Sequence, residues 1–188
     1  MAIRVIAGKA KGRRLKLVPG DSTRPVMDRV KESLFNIIGD WVRGSRWLDL
    51  FAGTGSVGIE ALSRGAAACL FVDQSRDAIR TIHENLALTG LEAVATVQRA
   101  DALDLLDGQP DSSERVEVIY IAPPQYKSMW REALEKIDAR IDWLESDGIA
   151  IVQIDPREYE DVSLSNLRLY DERRYGNTML CFYERHEV

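Results

Sequence analysis

Apolar positions change their period along the chain. Residues 2–7 (AIRVIA) and 13–17 (RRLKL) alternate around the Gly8–Gly12 turn, which predicts two short strands of a hairpin. Val26, Val30, Leu34, Ile37, Ile38 and Trp41 then recur at helical spacing. The preceding DSTRP offers capping residues and Pro25 as a helix opening, so an amphipathic helix is expected over 25–42. After Gly44, short apolar runs at 46–51, 68–73, 94–98, 116–121 and 148–154 alternate with helical stretches near 56–65, 75–89 and 128–143. That alternation predicts βαβ units and a parallel sheet covered on both faces. The last two apolar runs, 166–173 and 178–184, are joined only by the turn RYGNT and should add a hairpin to the sheet edge. The expected organisation is a basic N-terminal hairpin extension at 1–24 followed by an α/β domain at 25–188.

Composition narrows the class. At 188 residues, 45% hydrophobic and 29% charged, the chain suits one globular domain with a small appendage. No apolar run approaches the roughly 20 residues that cross a bilayer. The opening MAIRVIAGKAKGRR lacks the apolar centre of a secretory signal, so a cytoplasmic location is expected. Cys69 and Cys181 sit in apolar, strand-like runs and read as buried small hydrophobes, while His83 and His186 have no ligand-spaced partners. Neither a metal site nor a disulfide is expected. The net charge of −5 hides an asymmetry: residues 1–31 carry nine Lys/Arg against Asp21 and Asp28, a local +7 on a body of −12. A basic end on an acidic body is expected of a polyanion-binding appendage; a solvated loop is the plainer alternative.

Three segments carry candidate chemistry. Asp49-Leu50-Phe51-Ala52-Gly53-Thr54-Gly55-Ser56-Val57-Gly58 falls where a strand ends and a helix begins, the usual ligand position in an open α/β sheet. Gly53, Gly55 and Gly58 also match the G-x-G-x-x-G dinucleotide fingerprint, which keeps a nicotinamide-dependent oxidoreductase in view. Asp73, ending the next strand, suits ribose hydroxyls under either reading. Asp49 separates the two, because a carboxylate at the strand tip repels a pyrophosphate and suits the cationic amino end of S-adenosylmethionine. Asp101-Ala102, past the third strand, lies where a carboxylate can accept from an adenine amine or cap a helix. Ile121-Ala122-Pro123-Pro124-Gln125-Tyr126 follows the fourth strand, and two prolines force the chain out of the sheet at its C-terminal edge. The tryptophans, Trp41, Trp47, Trp130 and Trp143, read as packing residues, with Trp130 close to the proline turn.

The order DLFAGTG, FVD, RADA and a PP turn resembles amino-methyltransferases acting on nucleic-acid bases. With TRPVMDRVKESLFNII upstream and RRYGNTMLCFYE downstream, almost the whole chain resembles the RsmD-type 16S rRNA guanine-N2 methyltransferases. The resemblance implies a Rossmann-like seven-stranded methyltransferase sheet with an antiparallel C-terminal hairpin, preceded by a small basic β-hairpin and helix. It implies S-adenosylmethionine as methyl donor and N2-methylguanosine in 16S rRNA of an assembling small subunit as product. By position, Asp49, Phe51, Gly53 and Gly55 would cradle the methionine part. Asp73, with Gln74 beside it, would take the ribose, and Asp101 with Ala102 the adenine. Arg4, Lys9, Lys11, Arg13, Arg14, Arg24 and Arg29 would contact RNA phosphates, and Ala122, Pro123, Pro124, Gln125 and Tyr126 would form the catalytic turn. That turn departs from the family's Asp/Asn-Pro-Pro-aromatic pattern: Ala122 replaces the acid or amide and Gln125 the aromatic, with Tyr126 one place later. The departure leaves a second reading, a non-catalytic RNA-binding module on the same fold.

Overall fold

The computed structural model describes residues 2–20 and 25–186. Strands β1 (Ile3–Arg4) and β2 (Arg14–Leu15) form a small antiparallel pair. Then follow α1 (Asp28–Ile38), β3 (Arg46–Asp49), α2 (Ser56–Ser63), β4 (Ala68–Asp73), α3 (Arg76–Thr89), β5 (Ala95–Arg99) and α4 (Ala102–Leu106). The chain ends with β6 (Val116–Ile121), α5 (Met129–Ala139), β7 (Leu144–Ile154), β8 (Leu167–Tyr175) and β9 (Thr178–Arg185). The seven long-range strands form one sheet in the order β5-β4-β3-β6-β7-β9-β8, in which β9 runs antiparallel to both neighbours. The strand order reverses at β3, which pairs in parallel with β4 on one side and β6 on the other. A reversal of this kind opens a crevice beyond the carboxyl ends of the two strands flanking it.

Alternation along each strand supplies both faces of the core. On β3, Trp47 faces α1 and α2, whose Leu34, Phe35 and Ile59 share its cluster; Leu48 faces the opposite layer with Ala133, Leu134 and Ile137 of α5. On β6, Val118 and Tyr120 join the first layer, Ile119 and Ile121 the second. Period-two alternation is what a sheet covered on both sides requires. Phe35 stacks on Trp47 with ring centroids 5.4 Å apart. Cys69 and Cys181 are free and buried, as the sequence predicts.

The N-terminal hairpin is bound into this core, with Ile3, Val5, Ala10 and Leu15 sharing the cluster of α1 and α2. Its turn presses on the end of α2: a Cβ at Gly8 would lie 1.9 Å from the Ser63 carbonyl oxygen. Lys9 N–H donates to that oxygen at 2.8 Å, and Ala10 N–H donates to Ser63 Oγ at 2.9 Å. Glu60, fully buried on α2, accepts from the N–H groups of Ile6 and Ala7, and fully buried Lys31 donates to the Arg4 carbonyl at 2.6 Å.

Several boundaries differ from the sequence reading. The helix expected at 25–42 runs from Asp28 to Ile38 and continues as a 3-10 turn, Gly39–Val42. Gly39 at φ 60° cannot extend an α-helix, which stops it there. Its N-cap is Met27, without a side-chain cap bond; of the expected DSTRP caps, residues 21–24 lie outside the described residues. The helix expected at 128–143 stops at Ala139, followed by the 3-10 turn Ile141–Trp143. The strand expected from 148 begins at Leu144, because a register shift opposite Val116–Val118 lets pairing start earlier. The hairpin strands shrink to two residues each, and α4 was not expected as a helix.

Candidate cofactor and substrate cleft

A cavity of about 630 Å³ opens at the crevice and joins most of the predicted residues. Asp49, Phe51 and Gly53 line it from the β3–α2 turn, Asp73 and Gln74 from the end of β4, and Asp101 and Ala102 from the start of α4. Ala122, Pro123, Pro124 and Gln125 border it after β6. Three carboxylates thus border one space, and Lys127 is the lone basic side chain among its described lining residues.

Asp49 is 2% exposed, and among the described residues its side chain accepts a single hydrogen bond, from Gly58 N–H at 3.3 Å. Burial pushes its pKa up to about 7; the Gly58 N–H pulls the other way and the negative charge of Asp73 adds to the rise. Asp73 holds the glycine turn: Oδ2 accepts from Gly53 N–H and Oδ1 from Ser75 N–H, each at 2.9 Å. Asp101 Oδ1 accepts from Leu103 and Asp104 N–H at 2.8 and 3.2 Å, so the residue caps α4 while also bordering the cavity. The cap and ligand readings of Asp101 are therefore compatible in space, since a carboxylate has capacity beyond two bonds.

The glycines divide in function. Gly53 borders the cavity, whereas Gly55 lies outside the lining and sits at φ 79° as the N-cap of α2, where a Cβ would come 3.3 Å from Ile82. Gly58 closes α2 onto β4, for a Cβ there would lie 2.3 Å from the Phe71 ring. Only one of the three approaches the ligand space directly; the other two shape and pack the turn.

Tyr126 is not brought into the lining. It sits at φ 61° and 59% exposed, turned toward the segment after β7. Its N–H donates to Glu158 at 2.6 Å, its hydroxyl donates to Asp155 at 2.9 Å, and Arg157 donates to that hydroxyl at 2.6 Å. Arg157, through its guanidinium and backbone N–H, holds the Asp155 carboxyl well below the usual carboxylate range. Trp130, on α5, is 1% exposed and packs into the core cluster between that helix and the sheet.

The cavity also has walls that the sequence reading missed: Pro25 and Val26 before α1, Tyr120 on β6, Gln153 on β7, and Asn177 with Thr178 at the β8–β9 turn. A signal existed for Gln153, a single amide inside the apolar run Ile149–Ile154. None existed for Asn177, because only the insertion of β9 beside β7 carries the distant turn to this edge.

Arg4, Lys9, Lys11, Arg13, Arg14 and Arg29 are exposed. Arg4 Nε lies 3.6 Å from Asp28, a solvent-screened pair. Arg24 lies outside the described residues. Among the described residues no group of three or more His, Cys, Asp or Glu is placed to hold a metal ion, and no helix is long and apolar enough to cross a membrane.

The strand order, with its single antiparallel strand next to last, defines the class: a Rossmann-like α/β protein of the seven-stranded methyltransferase type. The chain belongs to the family described as conserved hypothetical protein 95, whose profile matches residues 3–184. It is 40% identical over 97% of its length, and 99% of the relative's, to YlbH of Bacillus subtilis, provisionally described as an rRNA methyltransferase. It is 30% identical to ribosomal RNA small subunit methyltransferase D of Haemophilus influenzae, over 97% of this chain and 93% of the relative. Among solved structures, yhhF of Escherichia coli, provisionally described as a methyltransferase, superimposes with a TM-score of 0.85 at 29% identity, covering the whole of both chains.

Proposed function

We propose that this protein transfers a methyl group from S-adenosylmethionine to the exocyclic N2 of a guanine in 16S rRNA of the assembling small ribosomal subunit, in the cytoplasm. The observation that carries the proposal is the single cavity that joins buried Asp49 and half-buried Asp73 and Asp101 to the Pro123–Pro124 turn. The names of full-length relatives support RNA methylation as the activity.

The residues fit such a donor. Asp49 is a buried carboxylate with one backbone bond and, among the described residues, no cationic side chain hydrogen-bonded or ion-paired to it, which suits an ammonium group and opposes a pyrophosphate. That argues against the nicotinamide reading despite the glycine spacing. Asp49, with Phe51, Gly53 and the turn shaped by Gly55, would hold the methionine part; Asp73 and Gln74 the ribose; Asp101 and Ala102 the adenine. When bound, the donor supplies a methyl carbon made electrophilic by its sulfonium. The chain's part is to hold the base in the cleft, hold its amine at the turn, and exclude water. In transfer the N2 lone pair would form the new N–C bond and the C–S pair would stay with sulfur, and the methylated amine would lose one proton to solvent as the base leaves the cleft. Residues 1–24 would act as an RNA-contacting appendage to the methyltransferase domain at 25–188, with Arg4, Lys9, Lys11, Arg13, Arg14, Arg24 and Arg29 on phosphates. Pro123 and Pro124 would fix the turn that presents the base, with Gln125 at its rim. Tyr126 would reach a base only by leaving its contacts to Asp155 and Arg157.

The test is transfer from methyl-labelled S-adenosylmethionine to immature small-subunit particles, followed by nuclease digestion. The expected result is label in N2-methylguanosine. RNA binding without incorporation would instead favour the non-catalytic module, to which Ala122 at the turn lends its support.

A further inference from the structure

Ala122 leaves a chemical gap. An exocyclic amine delocalises its lone pair into the ring, and an oxygen that accepts from its N–H localises that pair for attack. The turn offers no side-chain acceptor at this position. The sheet offers one on the neighbouring strand. Strands β6 and β7 pair in parallel with Ile121 opposite Val152, so the next step along both chains sets Gln153 beside Ala122. Ile121 and Val152 belong to the layer under α5, whereas Tyr120 and Ile151 belong to the other layer, against which Ala122 also packs. Alternation therefore puts Gln153 on the same side as Tyr120 and Ala122, and all three line the cavity. Gln153 is half-buried, and an amide in that setting needs a partner. It has one: the Tyr120 hydroxyl donates to Gln153 Oε1. Burial keeps that phenol protonated by raising its pKa well above the usual value. An amide oxygen has two lone pairs, so the bond from Tyr120 orients the group and leaves a second acceptor position.

We propose that Gln153 Oε1 accepts from the exocyclic amine of the target base in place of the missing side chain at position 122, and that Tyr120 is the positioning residue that aims it. This role rests on the function proposed above. It predicts a preference for bases that carry the amine. Gln125, the other amide at the cavity, is exposed on the turn beside left-handed Tyr126 and has no comparable support from a strand.

The test compares single-turnover methyl transfer, donor affinity by calorimetry, and binding of guanosine against inosine, whose base lacks the amine. Gln153→Leu should slow transfer roughly a hundredfold, the scale of losing one preorganised polar contact, with donor affinity unchanged. Gln153→Glu, which keeps an acceptor, should retain most of the rate. Adding Ala122→Asn to Gln153→Leu should restore at least tenfold, because the amide returns one strand away. In the wild-type protein the Gln153 side-chain amide NMR signal should shift with guanosine and stay fixed with inosine. Wild-type protein that transfers no methyl to RNA overturns both the function and this role. Transfer that survives Gln153→Leu overturns this role alone. A slowed Gln153→Leu that Ala122→Asn does not rescue, or equal shifts with guanosine and inosine, reduces Gln153 to a packing residue. Loss of discrimination in Gln125→Leu but not in Gln153→Leu moves the acceptor to the turn and overturns the proposal.

Discussion

Two buried carboxylates stand on either side of the glycine turn, and their surroundings differ. Glu60, inside α2, accepts from Ile6 and Ala7 N–H and from Arg64 Nε at 2.9 Å, with Lys31 Nζ 3.7 Å from its Oε2. Burial pulls the Lys31 pKa down and the Glu60 charge opposes that shift. Among the described residues Asp49 has only the 3.3 Å bond from Gly58 N–H, and its pKa climbs to about 7. Removal from water costs both groups; one is compensated inside the protein and the other is not. The comparison separates a carboxylate that fastens the hairpin to the domain from one that gains its partner on binding.

The largest effect is expected at Glu60. Glu60→Ala strands Lys31 and unties the hairpin backbone, and breaking such a buried pair costs about 3–5 kcal/mol; urea denaturation reads it. A loss under about 1 kcal/mol would erase the contrast with Asp49. Next, Asp49→Asn should weaken donor binding about a hundredfold, within the 2–5 kcal/mol of truncating a buried charge pair. Unaltered donor affinity would remove the basis of the cofactor assignment. In the ligand-free protein the same variant should stabilise. The folded pKa of Asp49 lies above its unfolded value, so the folded state holds the extra proton and stability falls as pH rises from about 4 to 7. The shift from 3.8 to about 7, at about 1.36 kcal/mol per unit, caps the gain from Asp49→Asn at about 4 kcal/mol at pH 8, read as a higher Tm.

The third effect sharpens the same point. Donor binding favours ionised Asp49, so the wild-type Kd should rise as pH falls below about 7, approaching tenfold per unit, while Asp49→Asn should be flat. Parallel pH profiles would show that another group titrates. The smallest effect is on the hairpin's outer face. Arg13→Ala with Arg14→Ala should lower the salt slope of RNA binding by about 2, roughly one per phosphate contact, and leave donor affinity unchanged. Equal loss of both would make the hairpin's charges structural.

What the sequence determined by itself was local. Period-two and period-3.6 patterning reads directly as strand and helix, so β4 and β6 match their predicted limits of 68–73 and 116–121, and the ends of β3 and β4 delivered Asp49 and Asp73 to one edge. Asp101 was legible as both cap and cavity residue because it lies two residues past a strand, where the chain turns at the sheet's C-terminal edge. Helix ends were read less well, since the stop at Gly39 depends on a backbone angle that apolar spacing does not encode. Only tertiary structure decided which carboxylate is satisfied, because the two backbone donors to Glu60, Ile6 and Ala7, lie 54 and 53 positions away. It also decided that Tyr126 leaves the cavity wall while Gln153 and Asn177 join it. Those outcomes depend on sheet order and on which strand lies beside which. Such neighbours are set by packing between distant segments, and the patterning of each segment alone does not contain them.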